Sequence, residues 1–335
     1  PRLIGTPDLT VYYLPQAQDL LAGGIPNVDF VSSYSPGFTY ITAALLAIID
    51  HPVILVILML AAELIGLQLL WSTFHIDRLD EETRIRIQGT YALHPLCLWY
   101  VGVAAYQASF VMMFWAIGIA TYRRVGWSAI AFGLGLLMTK LLAILAWPAA
   151  LLRRDGFWKS ILGIGFAAAL MLLLFRFELD FISPWLKEGS DTSNGNLLFL
   201  LGSLFSTSMN VGDWKGPSTI LFLVILAIGL ITMMIRRGTI WVVASRFDQA
   251  AMIVLVTGLF LITAKKSLAM YYPMVVPLMI LLAAHARRPR LSFGLLILQA
   301  ATSLTAPQIW SQQLDRPTQI GGLLFSPSPN GVAWI

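Results

Sequence analysis

The chain opens polar and then turns apolar in long blocks. Residues 1–37 are polar and aromatic, punctuated by Pro7, Pro15, Pro26 and Pro36. Within them Gln16 to Leu21 predicts a short helix, stopped by Gly23 and Gly24. The apolar run Phe38 to Ile49 has only 12 residues, against the roughly twenty that cross a bilayer. It predicts a juxtamembrane or shallow re-entrant helix, ended by Asp50-His51-Pro52. Val53 to Thr73 is a full-length span with Glu63 near its middle. Phe74 to Gly89 carries charges of both signs and belongs in water.

Two later blocks have awkward lengths. Thr90 to Thr121 is too long for one helix and barely enough for two. Pro95 and the polar Tyr106-Gln107-Ala108-Ser109 predict two short, tightly linked helices. Trp127 to Leu152 lies between Arg123-Arg124 and Arg153-Arg154. With both pairs on one side, the chain must enter and return within 26 residues. This predicts two short helices turning near Thr139-Lys140. Broken helices persist at membrane depth only where they line a cavity or pack on protein, so the hairpin also marks a site. Further spans are expected at Ile161 to Phe175, Ser218 to Ile235, Gln249 to Ala264, Leu268 to His285 and Leu291 to Leu304.

Composition fixes the class. With 58% hydrophobic and 12% charged residues over 335, the chain reads as an all-α polytopic membrane protein. The net charge of +5 then speaks of topology and not of nucleic acid. Fourteen of the 22 Lys and Arg lie at 78–86, 123–124, 153–159, 236–246 and 287–290. Placing these inside gives about ten spans, provided Phe38 to Ile49 does not cross. Residues 1–52 then form an outer loop with juxtamembrane helices. Residues 53–304 form the bundle, with an outer loop at 176–217, and 305–335 form an outer tail. Cys97 is the only cysteine and the four histidines are scattered, so neither a disulfide nor a metal cluster is expected. His94, before Pro95, reads as a tetrapyrrole ligand or as a structural residue.

The first segment also has a recognisable order. Pro7-Asp8-Leu9-Thr10-Val11-Tyr12-Tyr13 is followed by Leu20-Leu21-Ala22-Gly23-Gly24 and then Ser33-Tyr34-Ser35-Pro36-Gly37. An acid, a helix, a Tyr-Ser-Pro turn and then membrane resembles the first outer loop of GT-C superfamily glycosyltransferases. The likeness is to their bacterial polyprenyl-phosphate-mannose-dependent branch. Gly133-Leu134-Gly135-Leu136-Leu137-Met138-Thr139-Lys140, with Pro148 eight residues on, resembles that family's Gly-rich segment ending in Lys. Ser35-Pro36 stands where the family has a double proline. A first transmembrane helix precedes this loop in the family, which implies an upstream helix before Pro1.

The resemblance implies transfer of a sugar, with inversion, from a polyprenyl-phosphate donor at the outer face of a bacterial plasma membrane. Such a reaction needs one base and no nucleophile, and no cofactor is expected. Asp8 would be that base, taking a proton from the acceptor hydroxyl; equally, Asp8 could cap the helix that follows. Lys140, inside an apolar hairpin, could hold the donor phosphate or snorkel to the headgroups. Lys265 and Lys266, ahead of Tyr271-Tyr272-Pro273, could stabilise the leaving phosphate or meet anionic lipid. Tyr12, Tyr13, Tyr106, Gln107 and Tyr271 are candidate substrate contacts. Glu63 reads as a partner for a basic group or as part of a polar cavity. The partners expected are membrane lipids and the lipid-linked donor. A reading of another class is a non-catalytic subunit, derived from such an enzyme, that scaffolds a larger membrane complex. A transporter is a third reading, opposed by scarce intramembrane acids and no inverted repeat.

Overall fold

The computed structural model describes residues 8–26, 28–32, 34–98, 101, 106–139, 141–174, 215–264, 269–286, 292–294 and 296. Their regular structure is helical throughout. A π-helical turn, Asp8–Tyr13, runs into α1 (Leu14–Leu21). The start is thus earlier than the expected Gln16, because Pro15 sits in the first turn, where a missing N–H costs nothing. Gly23 ends α1 at φ +96°, its N–H reaching Leu20 O at 3.0 Å. Only glycine holds that conformation cheaply. α2 (Pro36–Ile48) has 13 residues, about 20 Å at 1.5 Å per residue. That is well short of the roughly 30 Å hydrocarbon layer.

Four helices are long and apolar enough to cross a membrane. They are α3 (Val53–Thr73), α9 (Phe157–Leu174), α10 (Lys215–Arg237) and α11 (Arg246–Thr263). The remaining apolar helices are shorter, down to the single turn of α5 (Pro95–Cys97). α6 (Ala108–Ala120) and α7 (Val125–Met138) pack antiparallel, with the Ser128 hydroxyl donating to Gly118 O at 2.7 Å. α7 and α9 touch through small residues: a Cβ on Gly163 would lie 2.7 Å from the Ala129 carbonyl carbon. Such close approach replaces the hydrophobic effect as the glue between helices in lipid.

The charged segment after α3 contains α4 (Glu81–Ala92), capped by Asp80, which accepts from Thr83 N at 2.9 Å. That bond holds the Asp80 carboxyl below the usual carboxylate range. α4 buries only Ile87 and is otherwise mostly polar, so no apolar period announced it. One expectation is corrected: Leu268 to His285 is not one helix. Pro273 lies in a 3-10 segment, Ala269–Met274, and α12 (Val276–Ala284) follows with Pro277 in its first turn. The expected outer loop at 176–217 and the span Leu291 to Leu304 lie almost wholly outside the described residues, and the tail 305–335 entirely so.

The hairpin between the arginine pairs is present. α7 stops at Met138, Thr139 departs from helical geometry (φ −135°, ψ −104°), and the chain returns through the 3-10 segment Leu141–Ala146 and α8 (Trp147–Leu151). Its two feet meet: Arg153 Nη1 donates to Tyr122 O at 2.6 Å, and the guanidinium lies 3.7 Å over the Tyr122 ring. The same end gathers the other basic turns. Arg246 donates to Thr73 O, Arg237 pairs with Asp248 at 2.5 Å, and Val243 N reaches Leu152 O at 3.2 Å. Phe247 stacks edge-on against Phe74 and His285, with centroids 4.8 and 4.9 Å apart. One end of the bundle is therefore basic, as the charge pattern required.

Candidate functional site

The opposite end is built from the first segment. Leu9, Tyr13 and Ala17 are buried, and the Tyr13 ring packs at 5.1 Å from Tyr34 and 5.0 Å from Phe38. Phe38 in turn meets Phe110 of α6 at 6.1 Å. This aromatic layer fixes the Tyr34-Ser35-Pro36 turn against the hairpin break: Ser35 N donates to Thr139 O at 3.1 Å. Gly37 lets the contact close, since a Cβ there would stand 2.5 Å from Met138 Sδ and 2.8 Å from Leu137 O. The polar loop and the broken helix that the sequence set far apart are thus one structure.

On the other side of the break, Leu142 lines a small cavity with Tyr106, Gln107 and Tyr271. Three of the candidate contacts therefore converge, brought there by the start of α6 and by the 3-10 segment before α12. The cavity is about 20 Å³, room for a single water. Gln107 lines it from the residue preceding α6, and both of its amide atoms are buried without a hydrogen-bond partner among the described residues.

No family model, curated protein or solved structure matches this chain.

Among the other candidates, Tyr12 is exposed and lies 6.3 Å from Tyr34, whereas Tyr13 is sealed inside the aromatic layer. Tyr13 is a packing residue at this end. The backbone of Asp8 opens the π-helical turn. Lys140, Lys265 and Lys266 lie outside the described residues. In sequence Lys140 falls between Thr139, which meets the first loop, and Leu141, whose neighbour Leu142 lines the cavity. Glu63 is buried in α3 with neither carboxylate oxygen partnered among the described residues, so the expected basic partner is not found there. His94 is equally buried, with both ring nitrogens unpartnered among the described residues. Among these residues no group of three His, Cys, Asp or Glu could hold a metal.

Two hydroxyls escaped the sequence reading. Ser35 and Thr39 are fully buried beside the break, and neither side-chain oxygen has a partner among the described residues. With Thr42, whose hydroxyl donates to Thr39 O at 2.9 Å, they recur at helical spacing on one face of α2. That spacing was legible, but threonine in an apolar run barely alters hydropathy. Together these groups could hold a ligand hydroxyl or phosphoryl oxygen by hydrogen bonds in a low-dielectric setting, where each bond is stronger than in water.

Proposed function

We propose that the chain is a GT-C-like integral membrane glycosyltransferase, a bundle of about ten spans in a bacterial plasma membrane with residues 1–52 on the outer side. The observation that carries the reading is the docking of the first segment onto the hairpin break, through Ser35 N and Thr139 O. It puts the segment that opens with Asp8 and the segment leading to Lys140 at one end of the bundle, away from the arginines.

In this reading Asp8 accepts the proton of the acceptor hydroxyl as its oxygen attacks the sugar C1, and the polyprenyl phosphate departs from the opposite face of the ring. The configuration inverts, and no covalent enzyme intermediate is formed. Lys140, Lys265 and Lys266 stabilise the charge on the leaving phosphate. Tyr12, Tyr106, Gln107 and Tyr271 contact substrate. A second reading, a non-catalytic subunit scaffolding a larger membrane complex, is favoured by one observation: among the described residues the cavity beside Gln107 has room for a water and not for a sugar.

Transfer of labelled sugar from polyprenyl-phosphate donors in reconstituted membranes, wild type against Asp8→Asn, separates the two. Transfer lost only in the variant is the expected outcome. Equal rates would remove Asp8 as the base, and no transfer by the wild type with any such donor would leave the scaffold reading.

A further inference from the structure

The basic end holds a feature that topology alone does not require. A pocket of about 360 Å³ opens between Ala120–Arg124 and Arg246. That size falls in the range of ligand sites, roughly 300–1,000 Å³. Three arginines line it, and they differ from the ion-paired arginines of this end. Arg153 is paired with Asp155, Arg237 with Asp248, and Arg86 with Glu82. Arg123, Arg124 and Arg246 have no carboxylate partner among the described residues. Arg246 is nonetheless held in place, because its guanidinium donates to the Thr73 carbonyl at the end of α3. Arg123 and Arg124 are exposed.

The helix ends add to the same field. Carbonyls closing α6 are already bonded: Ile117 O to the Thr121 amide and hydroxyl, Gly118 O to the Ser128 hydroxyl, Ile119 O to the Tyr122 amide. α7 begins here with Arg124 as its N-cap residue and no side-chain cap. The negative end of α6 is thus quenched, while the positive end of α7 is left open. Uncompensated guanidinium groups, one of them fixed, beside an uncapped helix start suit the tetrahedral oxygens of a phosphate. Charges that serve orientation alone need a side of the membrane, and no cavity.

We propose that this pocket is a phosphate-binding site, taking a phosphomonoester or phosphodiester anion at the basic end of the bundle. The proposal is independent of any glycosyltransferase activity. The phosphate belongs either to the headgroup of an anionic phospholipid in the adjoining leaflet or to a soluble anion, and the chemistry of recognition is shared. Basic pockets among membrane helices on the cytoplasmic side are suited to anionic headgroups, since each arginine near the surface adds attraction.

The test uses the full chain, wild type and Arg123→Gln/Arg124→Gln. Each is reconstituted in phosphatidylcholine vesicles containing phosphatidylglycerol, extracted in detergent, and weighed by native mass spectrometry for retained lipid. A parallel arm titrates inorganic phosphate against lipid-stripped protein and follows thermal unfolding. Retention of phosphatidylglycerol that falls about tenfold in the double variant, with phosphate ineffective, supports the site and assigns it to the headgroup. Saturable stabilisation by phosphate that disappears in the variant supports it and assigns it to a soluble anion. Arg154→Gln, an exposed arginine of the same end that does not line the pocket, is expected to behave as wild type. Equal responses from wild type and the glutamine pair overturn the proposal. So does equal loss in Arg154→Gln, because the effect would then follow net charge and not the pocket.

Discussion

At one end of the bundle Arg153 is buried and occupied, its guanidinium bonded to Tyr122 O and Asp155 and stacked on the Tyr122 ring. At the other, Ser35, Thr39 and Gln107 are as deeply buried and have no side-chain partner among the described residues. The first arrangement explains itself as architecture: a charged donor closes the two feet of a hairpin. The second does not, because a buried polar group without a partner costs about 1–3 kcal/mol. Apolar residues of the same shape would serve the fold better. The contrast separates the end that holds the molecule together from the end at which we place its chemistry.

The largest effect that would break this contrast is catalytic. Asp8→Asn keeps the size of the side chain but cannot take a proton near neutral pH. Sugar transfer is expected to fall by about a hundred- to ten-thousandfold, with the unfolding temperature unchanged. A fall in both together would make Asp8 structural. Next in size is the basic end. Arg153→Met removes a charge-assisted bond to a buried carbonyl and should lower stability by about 1.5–3 kcal/mol, read by denaturation in detergent.

Of similar or smaller size is Gly37→Val, which forces a branched side chain against Leu137 O and Met138. It should cost about 1–3 kcal/mol and loosen the first segment. Faster hydrogen exchange at Ser35, with the basic end unchanged, is the measurement. The smallest effect sharpens the contrast most. Gln107→Leu removes an unpartnered amide, so stability should stay level or rise by about 1 kcal/mol while any transfer activity drops. A loss of stability comparable to that of Arg153→Met would erase the difference between the ends.

How much of this was readable depended on the kind of signal. The hairpin was, because arginine pairs stand at both ends of a stretch too short for two full crossings. α2 was, because its run is short and Asp50-His51-Pro52 closes it. α4 was not: with Ile87 its one buried residue, it shows no apolar period. The break before α12 was written in Pro273 and Pro277, but hydropathy averages prolines into their apolar neighbours. At the site, Tyr106, Gln107 and Tyr271 could be located near one face, yet their convergence depends on how α6 and the 3-10 segment pack. No spacing along the chain encodes that. Tyr13 was misleading for the same reason, since an aromatic in a polar loop looks available until Tyr34 and Phe38 cover it.

The bond between Ser35 and Thr139 also has a meaning in time. Synthesis delivers the chain from its N-terminus at some 5–20 residues per second. The Tyr34-Ser35-Pro36 turn is therefore made seconds before the helix end that receives it. Through that interval the surface around Gly37 has no counterpart, and neither half can be finished alone. A nascent chain cut short before Met138 would carry α2 with its docking face bare. The arginine feet at Tyr122 and Arg153 are joined later still, when the hairpin has come back. Assembly of the end built from the first segment thus begins early in translation and waits on the middle of the chain to be completed.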